Sequence, residues 1–217
     1  MKTSAALLVL LLCPLAAYSQ TLTTSSEYGL PIVKTKTEIN QTGTLAKFDS
    51  NLGELTGATL IIYGAADFSV QATNNSPQSQ TARIGSTTSL FITSSETALN
   101  NLIQSENESI DLAYRTPLTT FASGETINFG PITNEEQFSY DLAPILASLQ
   151  SNGAGSFTIN VESMSGLSIV GGGGNLSASQ FTIAGAGAKI VYSYVLEPSS
   201  ALLCGIAGLG LIVRRRR

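Results

Sequence analysis

Along most of this chain, apolar side chains recur at every second position, the period of a strand with one buried face. "IVKTKTEIN" (32–40) alternates and is rich in β-branched residues, and "TLAKF" (44–48) follows a glycine. "GATLIIYG" (57–64) is a continuous apolar run bounded by glycines, which predicts a central buried strand. "DFSVQAT" (67–73) puts Phe68, Val70 and Ala72 on one face. "TTSLFIT" (87–93), "SIDLAYR" (109–115), "ETINFG" (125–130) and "EQFSYDL" (136–142) continue the pattern, the last with Phe138 and Tyr140 sharing a face. "GSFTINVES" (155–163) turns Phe157, Ile159 and Val161 inward, and 165–179 is a strand that breaks into a glycine loop at 171–174. "QFTIAGAG" (180–187) and "AKIVYSYVL" (188–196) close the series, with Ile190, Tyr192 and Tyr194 on one face.

Between these runs lie turn residues rather than helices. "NNSPQSQ" (74–80) reads as a loop, because Pro77 has no N–H to give a central ladder. Residues 93–109 are the least strand-like middle stretch and read as a long loop with a helical turn after Ser95. A short helix is expected around Ala143 to Gln150, with Pro144 in its first turn. Ten or more short strands without intervening helices predict an all-β fold, an antiparallel two-sheet β-sandwich of jelly-roll type. The sandwich is expected over 32–195, after a polar, mobile lead-in at 20–31.

The ends break the period of two. "MKTSAALLVLLLCPLAAYSQ" opens with a positive residue and carries an apolar run too short to span a bilayer. Small residues then stand three and one positions before Gln20. This is the pattern of a secretory signal peptide over 1–19, cut between Ser19 and Gln20 and handed to the Sec translocon. A lipoprotein reading at Cys13 is weaker, because Leu12 precedes the cysteine where a small residue is expected. At the other end, residues 199–213 form an apolar segment followed by Arg214, Arg215, Arg216 and Arg217. Its apolar stretch Ala201–Val213 is about 20 Å long as a helix, short against a hydrocarbon core of about 30 Å. A buried core helix is the alternative on length. Its place at the end of the chain, its glycines and the four arginines favour a transmembrane segment held by positive charge on the cytoplasmic side of a membrane.

Composition narrows the function classes. Charged residues make up 12% of the chain, about half the usual share, and histidine and tryptophan are absent. Between Gln20 and Leu196 stand six basic and fourteen acidic residues, a net charge of about −8. Such a body cannot neutralise phosphates, which argues against nucleic acid as a partner. Both cysteines, Cys13 and Cys204, lie in the terminal apolar segments, so no disulfide framework is available to the body.

Two family resemblances follow from particular residues. Leu196-Glu197-Pro198-Ser199, the glycine-rich apolar run and the arginine cluster resemble a PEP-CTERM sorting signal over 196–217. That family combines a Pro-Glu-Pro motif, a short transmembrane segment and a basic end; here Leu196 stands in place of the first proline. The resemblance implies a Gram-negative, exopolysaccharide-producing host and an exosortase-type membrane enzyme as partner. It also implies a chain anchored in the inner membrane before processing, then released to the cell surface or extracellular matrix. The second resemblance lies in the body. Leu45, Phe48, Asp49, Leu52, Gly53 and Leu55, with the closing "GAKIVYSYV" (187–195), resemble the choice-of-anchor E domain. That resemblance implies a domain and an address, and no chemistry. Physically, Phe48, Leu52 and Leu55 can cap one end of a sandwich, while Asp49 accepts backbone N–H bonds in a turn and Gly53 supplies a positive φ.

Candidate chemistry is sparse. Without histidine, no Ser-His-Asp triad or Cys-His pair exists, and no G-x-S-x-G elbow or S-x-x-K pair is present. Glu106, Glu108 and Asp111 form one acidic cluster and Asn134-Glu135-Glu136 another, without the ladder of an EF-hand loop; solvated loop charges are the simpler reading, with calcium as the alternative. Fourteen acidic residues make some carboxylate pair unavoidable, so a glycosidase pair is not diagnostic. "GGGG" (171–174) lacks the G-K-[ST] of a phosphate loop. The expectation is a non-enzymatic exported protein without metal or cofactor, structural or adhesive in the envelope or matrix. A carbohydrate-binding module for exopolysaccharide is the alternative, and a glycosidase a more distant one.

Overall fold

The structure, a computed structural model, describes residues 20–196. The expected signal peptide (1–19) and the tail beyond Leu196, with its transmembrane segment and arginines, lie outside the described residues. No helix among the described residues is long and apolar enough to cross a membrane.

Two antiparallel sheets face each other, as the alternating pattern predicts. The first contains β1 (Thr21–Tyr28), β5 (Glu54–Asn74), β9 (Thr126–Asp141) and β12 (Leu176–Val195) in the order β1-β12-β5-β9, with the short β2 (Thr35–Lys36) beside β12. The second contains β3 (Asn40–Ala46), β6 (Gln80–Ser94), β7 (Ser109–Arg115) and β11 (Ser156–Gly171) in the order β3-β11-β6-β7, with β8 (Thr119–Phe121) beside β6. A small parallel pair joins β4 (Phe48–Asp49) to β10 (Gln150–Ser151).

Several strands run through positions that read as turns and are longer than the turn signals imply. The runs 57–64 and 67–73 are one 21-residue strand, β5, because Gly64, Ala65 and Ala66 continue the pleat with small buried side chains. The runs 125–130 and 136–142 are likewise one strand, β9. Its register slips opposite Phe68 and Val70, where Gly130 and Pro131 sit. Proline is tolerated there because β9 is an edge strand and the slip removes its ladder position. Similarly, 155–163 and 165–171 join as β11, and 180–196 forms most of β12.

Three expectations need correction. The lead-in at 20–31 contains a strand: β1 pairs with β12 over its whole length, from Thr21 opposite Val195 to Tyr28 opposite Ala188. Its Leu22, Thr24, Ser26 and Tyr28 are the half-buried positions, so a serine- and threonine-rich alternation serves as an edge strand. By contrast, only Thr35–Lys36 of the 32–40 run pairs before β3 begins, and Glu38 interrupts it with a positive φ. The stretch 93–109 holds an α-helix, α1 (Thr97–Glu106), rather than a loop. Leu99 and Ile103, one turn apart, are fully buried in it, with Leu102 packed beside them. Ala143–Leu149 is a short 3-10 segment with Pro144 in its first turn, near the expected helix.

Most of the core lies between the sheets. Leu60, Ile62 and Phe68 of β5 meet Leu90 and Ile92 of β6, Phe157, Ile159 and Val161 of β11, and Ile190 of β12 in one cluster. Burying each such side chain contributes roughly 1.5–3 kcal/mol. A smaller cluster of Val70, Ala72, Ala82, Ile84 and Phe121 fills the far end.

Candidate functional site

Three features of the described body bear on function: the pole where Gln20 and Leu196 lie, the turn that holds that pole, and a groove on the outer face of the first sheet. At the pole, the Thr21–Val195 pairing puts Gln20 and Leu196 at neighbouring strand ends. Gln20 and Leu196, the described residues beside the two predicted processing points, therefore lie at one end of the sandwich, and Leu196 is well exposed. Ser19, Glu197, Pro198, Ser199 and Arg214 to Arg217 fall outside the described residues.

The Phe48–Leu55 turn builds this pole. Asp49 caps the 3-10 turn Ser50–Leu52, its carboxylate accepting the N–H of Asn51 at 2.9 Å and that of Gly153 at 3.0 Å. Those two backbone donors hold its pKa below the ordinary aspartate value. Gly53 has φ +141, and a Cβ there would lie 2.1 Å from the carbonyl oxygen of Val195. Only glycine lets the turn press against the strand from which the chain leaves the domain. Phe48 and Leu55 are buried as expected, but Leu52 is 43% exposed, because the 3-10 turn swings it outward.

Phe48 also joins the two stretches that carry the domain resemblance. Its ring lies 5.8 Å from that of Tyr192 and 5.2 Å from that of Tyr194. Tyr192 is buried and donates its hydroxyl to the carbonyl of Ala46 at 2.8 Å. Desolvation raises its pKa, so the phenol stays neutral. The tyrosine pair is core packing, and Asp49 is occupied in holding a turn.

The groove arises from the segment Gly29–Lys34, which crosses the outer face of the first sheet. Gly185 and Gly187 of β12 lie beneath it: a Cβ on Gly185 would sit 2.5 Å from the Val33 carbonyl oxygen, and one on Gly187 2.6 Å from a Leu30 methyl carbon. Lys34 pins the segment through a 2.6 Å ion pair with Asp67, which also accepts from the Thr133 hydroxyl. The lysine first, then the threonine, holds the Asp67 carboxyl below its ordinary pKa. Between this strap and β9 runs a groove of about 600 Å³. Leu30, Pro31 and Ile32 form one wall, Tyr63 and Ala65 the floor, and Glu135 and Gln137 the other wall. An aromatic ring beside an amide and a carboxylate can stack on an apolar ring face and hydrogen-bond to hydroxyls.

Sequence reading singled out Glu135 and Glu136 but neither the strap nor Tyr63. The alternating small residues of "AGAGA" (184–188) were the available signal, since they leave room for a chain laid across the strand. The two acidic clusters meet partly. Asp111 and Glu136 line a shallow groove between β7 and β9, together with Ser109 and Phe138. Among the described residues, no group of three or more acidic, histidine or cysteine side chains is placed to hold a metal ion.

No protein-family model matches the chain, and no curated protein matches it. Among solved structures, Desmodium yellow mottle tymovirus aligns over 92% of this chain and 99% of that chain, at 10% identity and a TM-score of 0.26. The infectious bursal disease virus VP2 subviral particle aligns over 92% of this chain and 50% of that chain, at 12% identity and a TM-score of 0.21. Mud crab tombus-like virus aligns over 94% and 96%, at 8% identity and a TM-score of 0.15. At these scores the likeness shows neither fold nor function.

Proposed function

We propose that this chain is an exported cell-envelope or extracellular-matrix protein with a structural or adhesive role. In this reading a jelly-roll-like sandwich is delivered through a cleaved signal peptide and sorted by an exosortase-type enzyme acting on the Leu196–Ser199 motif. One observation supports it most: the Thr21–Val195 pairing brings Gln20 and Leu196, the described residues beside the two predicted processing points, to one pole. A domain processed at both ends needs those ends outside its core, and here they leave side by side. The strand orders β1-β12-β5-β9 and β3-β11-β6-β7 favour a jelly-roll description. The tail then acts as a temporary inner-membrane anchor, its arginines on the cytoplasmic side. The test is the intact mass of the protein recovered from its native cell. A species beginning at Gln20 and ending near Glu197 is the expected result. Recovery of the chain with residues 1–19 and the arginine end both present would sink the proposal.

The groove favours a second reading, a binding site for the host's own exopolysaccharide. Tyr63 offers a ring face beside Glu135 and Gln137, although no tryptophan is available for stacking. Titration with that polysaccharide, with and without calcium, separates the two readings. Binding that is lost in Tyr63→Ala supports the module, and no binding under either condition removes it.

A further inference from the structure

One edge of the second sheet lacks the protection that the others have. β3 covers β11 only as far as Ser163, whose N–H donates to the Ile39 carbonyl at 3.0 Å. From Met164 to Gly171, β11 pairs with β6 on one side and with no strand of the described residues on the other. Since the Ser163 N–H points to the β3 side, alternation turns the N–H and C=O groups of Ser165, Leu167 and Ile169 to that open side as well. The adjoining start of β12, Leu176–Phe181, also meets no strand of the described residues along its corresponding edge, since β2 first meets β12 at Ile183.

Elsewhere the edges are guarded in recognisable ways. β9 has Pro131, a register slip, Glu135 and Glu136. β7 has Asp111 and Arg115. β1 has Glu27, ion-paired to Lys189 at 2.5 Å. β3 is masked by β1, with Tyr28 lying over Gly43 and Ser26 accepting the Ala46 N–H at 3.0 Å. The open stretch of β11 has none of these devices. "SMSGLSIVGGGGN" (163–175) contains neither a charge nor a proline. It exposes Met164 (61%), Leu167 (37%), Ile169 (38%) and Val170 (65%), with Phe181 (58%) on the neighbouring strand.

We propose that this edge pairs with the same edge of a second copy of the chain, antiparallel, about a two-fold axis through Leu167. The stretch is self-complementary in that register. Leu167 meets its own copy, Ser165 meets Ile169, Gly166 meets Ser168, and Met164 meets Val170. The residues that exchange backbone bonds are Ser165, Leu167 and Ile169, the three whose groups face outward. Met164 and Val170 fall on the solvent face, covering each other twice across the axis. The stretch 163–175 carries no charge, so two copies, each about −8 overall, can meet along it without burying or directly opposing carboxylates. Two second sheets then become one continuous sheet with isologous contacts. The contact is small beside the about 1,600 Å² of a standard stable interface, so it forms where copies are concentrated, as on a membrane or in a matrix.

The test uses the full chain with Cys13→Ala and Cys204→Ala. Directly opposed residues in a bonded antiparallel pair have Cα atoms about 5.5 Å apart, inside the disulfide range of about 4.4–6.8 Å. Leu167→Cys therefore cross-links to itself under mild oxidation. Ser165→Cys alone and Ile169→Cys alone stand four residues from their own copies, about 13 Å, and yield at least about tenfold less dimer. The Ser165→Cys/Ile169→Cys double variant recovers it. On the solvent face, Met164→Lys/Val170→Lys opposes like charges and abolishes the Leu167→Cys dimer, whereas Met164→Glu/Val170→Lys retains it. Thermal melts and sedimentation of each variant report folding and mass. Equal cross-linking at all three positions, no dimer at Leu167, or identical behaviour of the two charge variants in a folded protein overturns the proposal.

Discussion

Asp49 illustrates how a side chain that looks available for chemistry is committed to structure. Its carboxylate serves two backbone donors, the local Asn51 and the sequence-distant Gly153. Because the folded pKa lies below the ordinary 3.8, the folded state favours the ionised form. This contribution is full above the unfolded value and is lost as pH falls through the lowered folded value. The expected outcome is that Asp49→Ala melts below the parent chain at neutral pH and that the gap closes in strong acid. A gap independent of pH would show that the carboxylate charge is not what holds the turn. Tyr140 behaves in the opposite sense. Desolvation, with Glu106 nearby, raises its pKa to about 12, and its hydroxyl donates to the Asn107 carbonyl. Tyr140→Phe leaves that carbonyl without its partner and costs roughly 1–2 kcal/mol in a urea titration. The phenol's own contribution is full below pH 10 and declines as pH rises toward its folded value. At this scale the sequence was legible where the partner is local: the spacing of Asp49 and Gly53 already implies an Asx turn. The Lys34–Asp67 pair was not legible, because it depends on a strap crossing a strand paired far away in the chain.

Among the elements, legibility failed in two ways, both physical. Gly64 and the Gly130-Pro131 pair read as breaks, yet the strands run through them. Ladder hydrogen bonds from both neighbours hold β5 extended, and an edge position excuses the proline in β9. The helix α1 reads as a single helical turn after Ser95 because Asn, Ser, Thr and Gln dilute the spacing of Leu99, Leu102 and Ile103; its buried face, rather than its propensity, extends it to Glu106. Lys47 secures that helix to the sheets, pairing with Glu96 at 2.6 Å and donating to the Ser148 carbonyl at 2.8 Å. The edge strand β1 is held differently. Tyr28 lies so close over Gly43 that a Cβ there would overlap the ring, at 1.9 Å from its nearest carbon. Gly43→Ala should therefore displace Tyr28 and loosen β1. Hydrogen exchange should speed up across Thr21–Tyr28 while β5 and β6 remain protected. Unchanged exchange in β1 would mean that the β12 ladder alone holds it.

Over the whole molecule, stability rests on burial between two sheets, since both cysteines lie outside the described residues and the ion pairs are partly exposed. Ile62 is completely buried in the larger cluster. Ile62→Ala should cost about 2–5 kcal/mol, read as a lower urea midpoint with an unchanged slope. A loss well under that range would mean that the cluster collapses to fill the space. The all-β, two-sheet class was legible because the period of two runs through nearly every apolar stretch. The pairing order was not, since alternation fixes which face is buried and says nothing of which strand lies beside which.

The antiparallel pairing of Thr21 with Val195 has a mechanical consequence. Tension applied between Gln20 and Leu196 would meet the β1–β12 ladder at its last rung and break it one pair at a time, like a zip. Tension between Leu196 and a load gripped at the opposite pole, near the Gly172–Gly174 turn, would instead run along the 20 residues of β12. There the already extended covalent backbone of β12 carries the load, and no rung of its ladders to β5 and β1 has to open. The fold therefore resists a pull from Leu196 to the far pole and yields to a pull that separates Gln20 from Leu196.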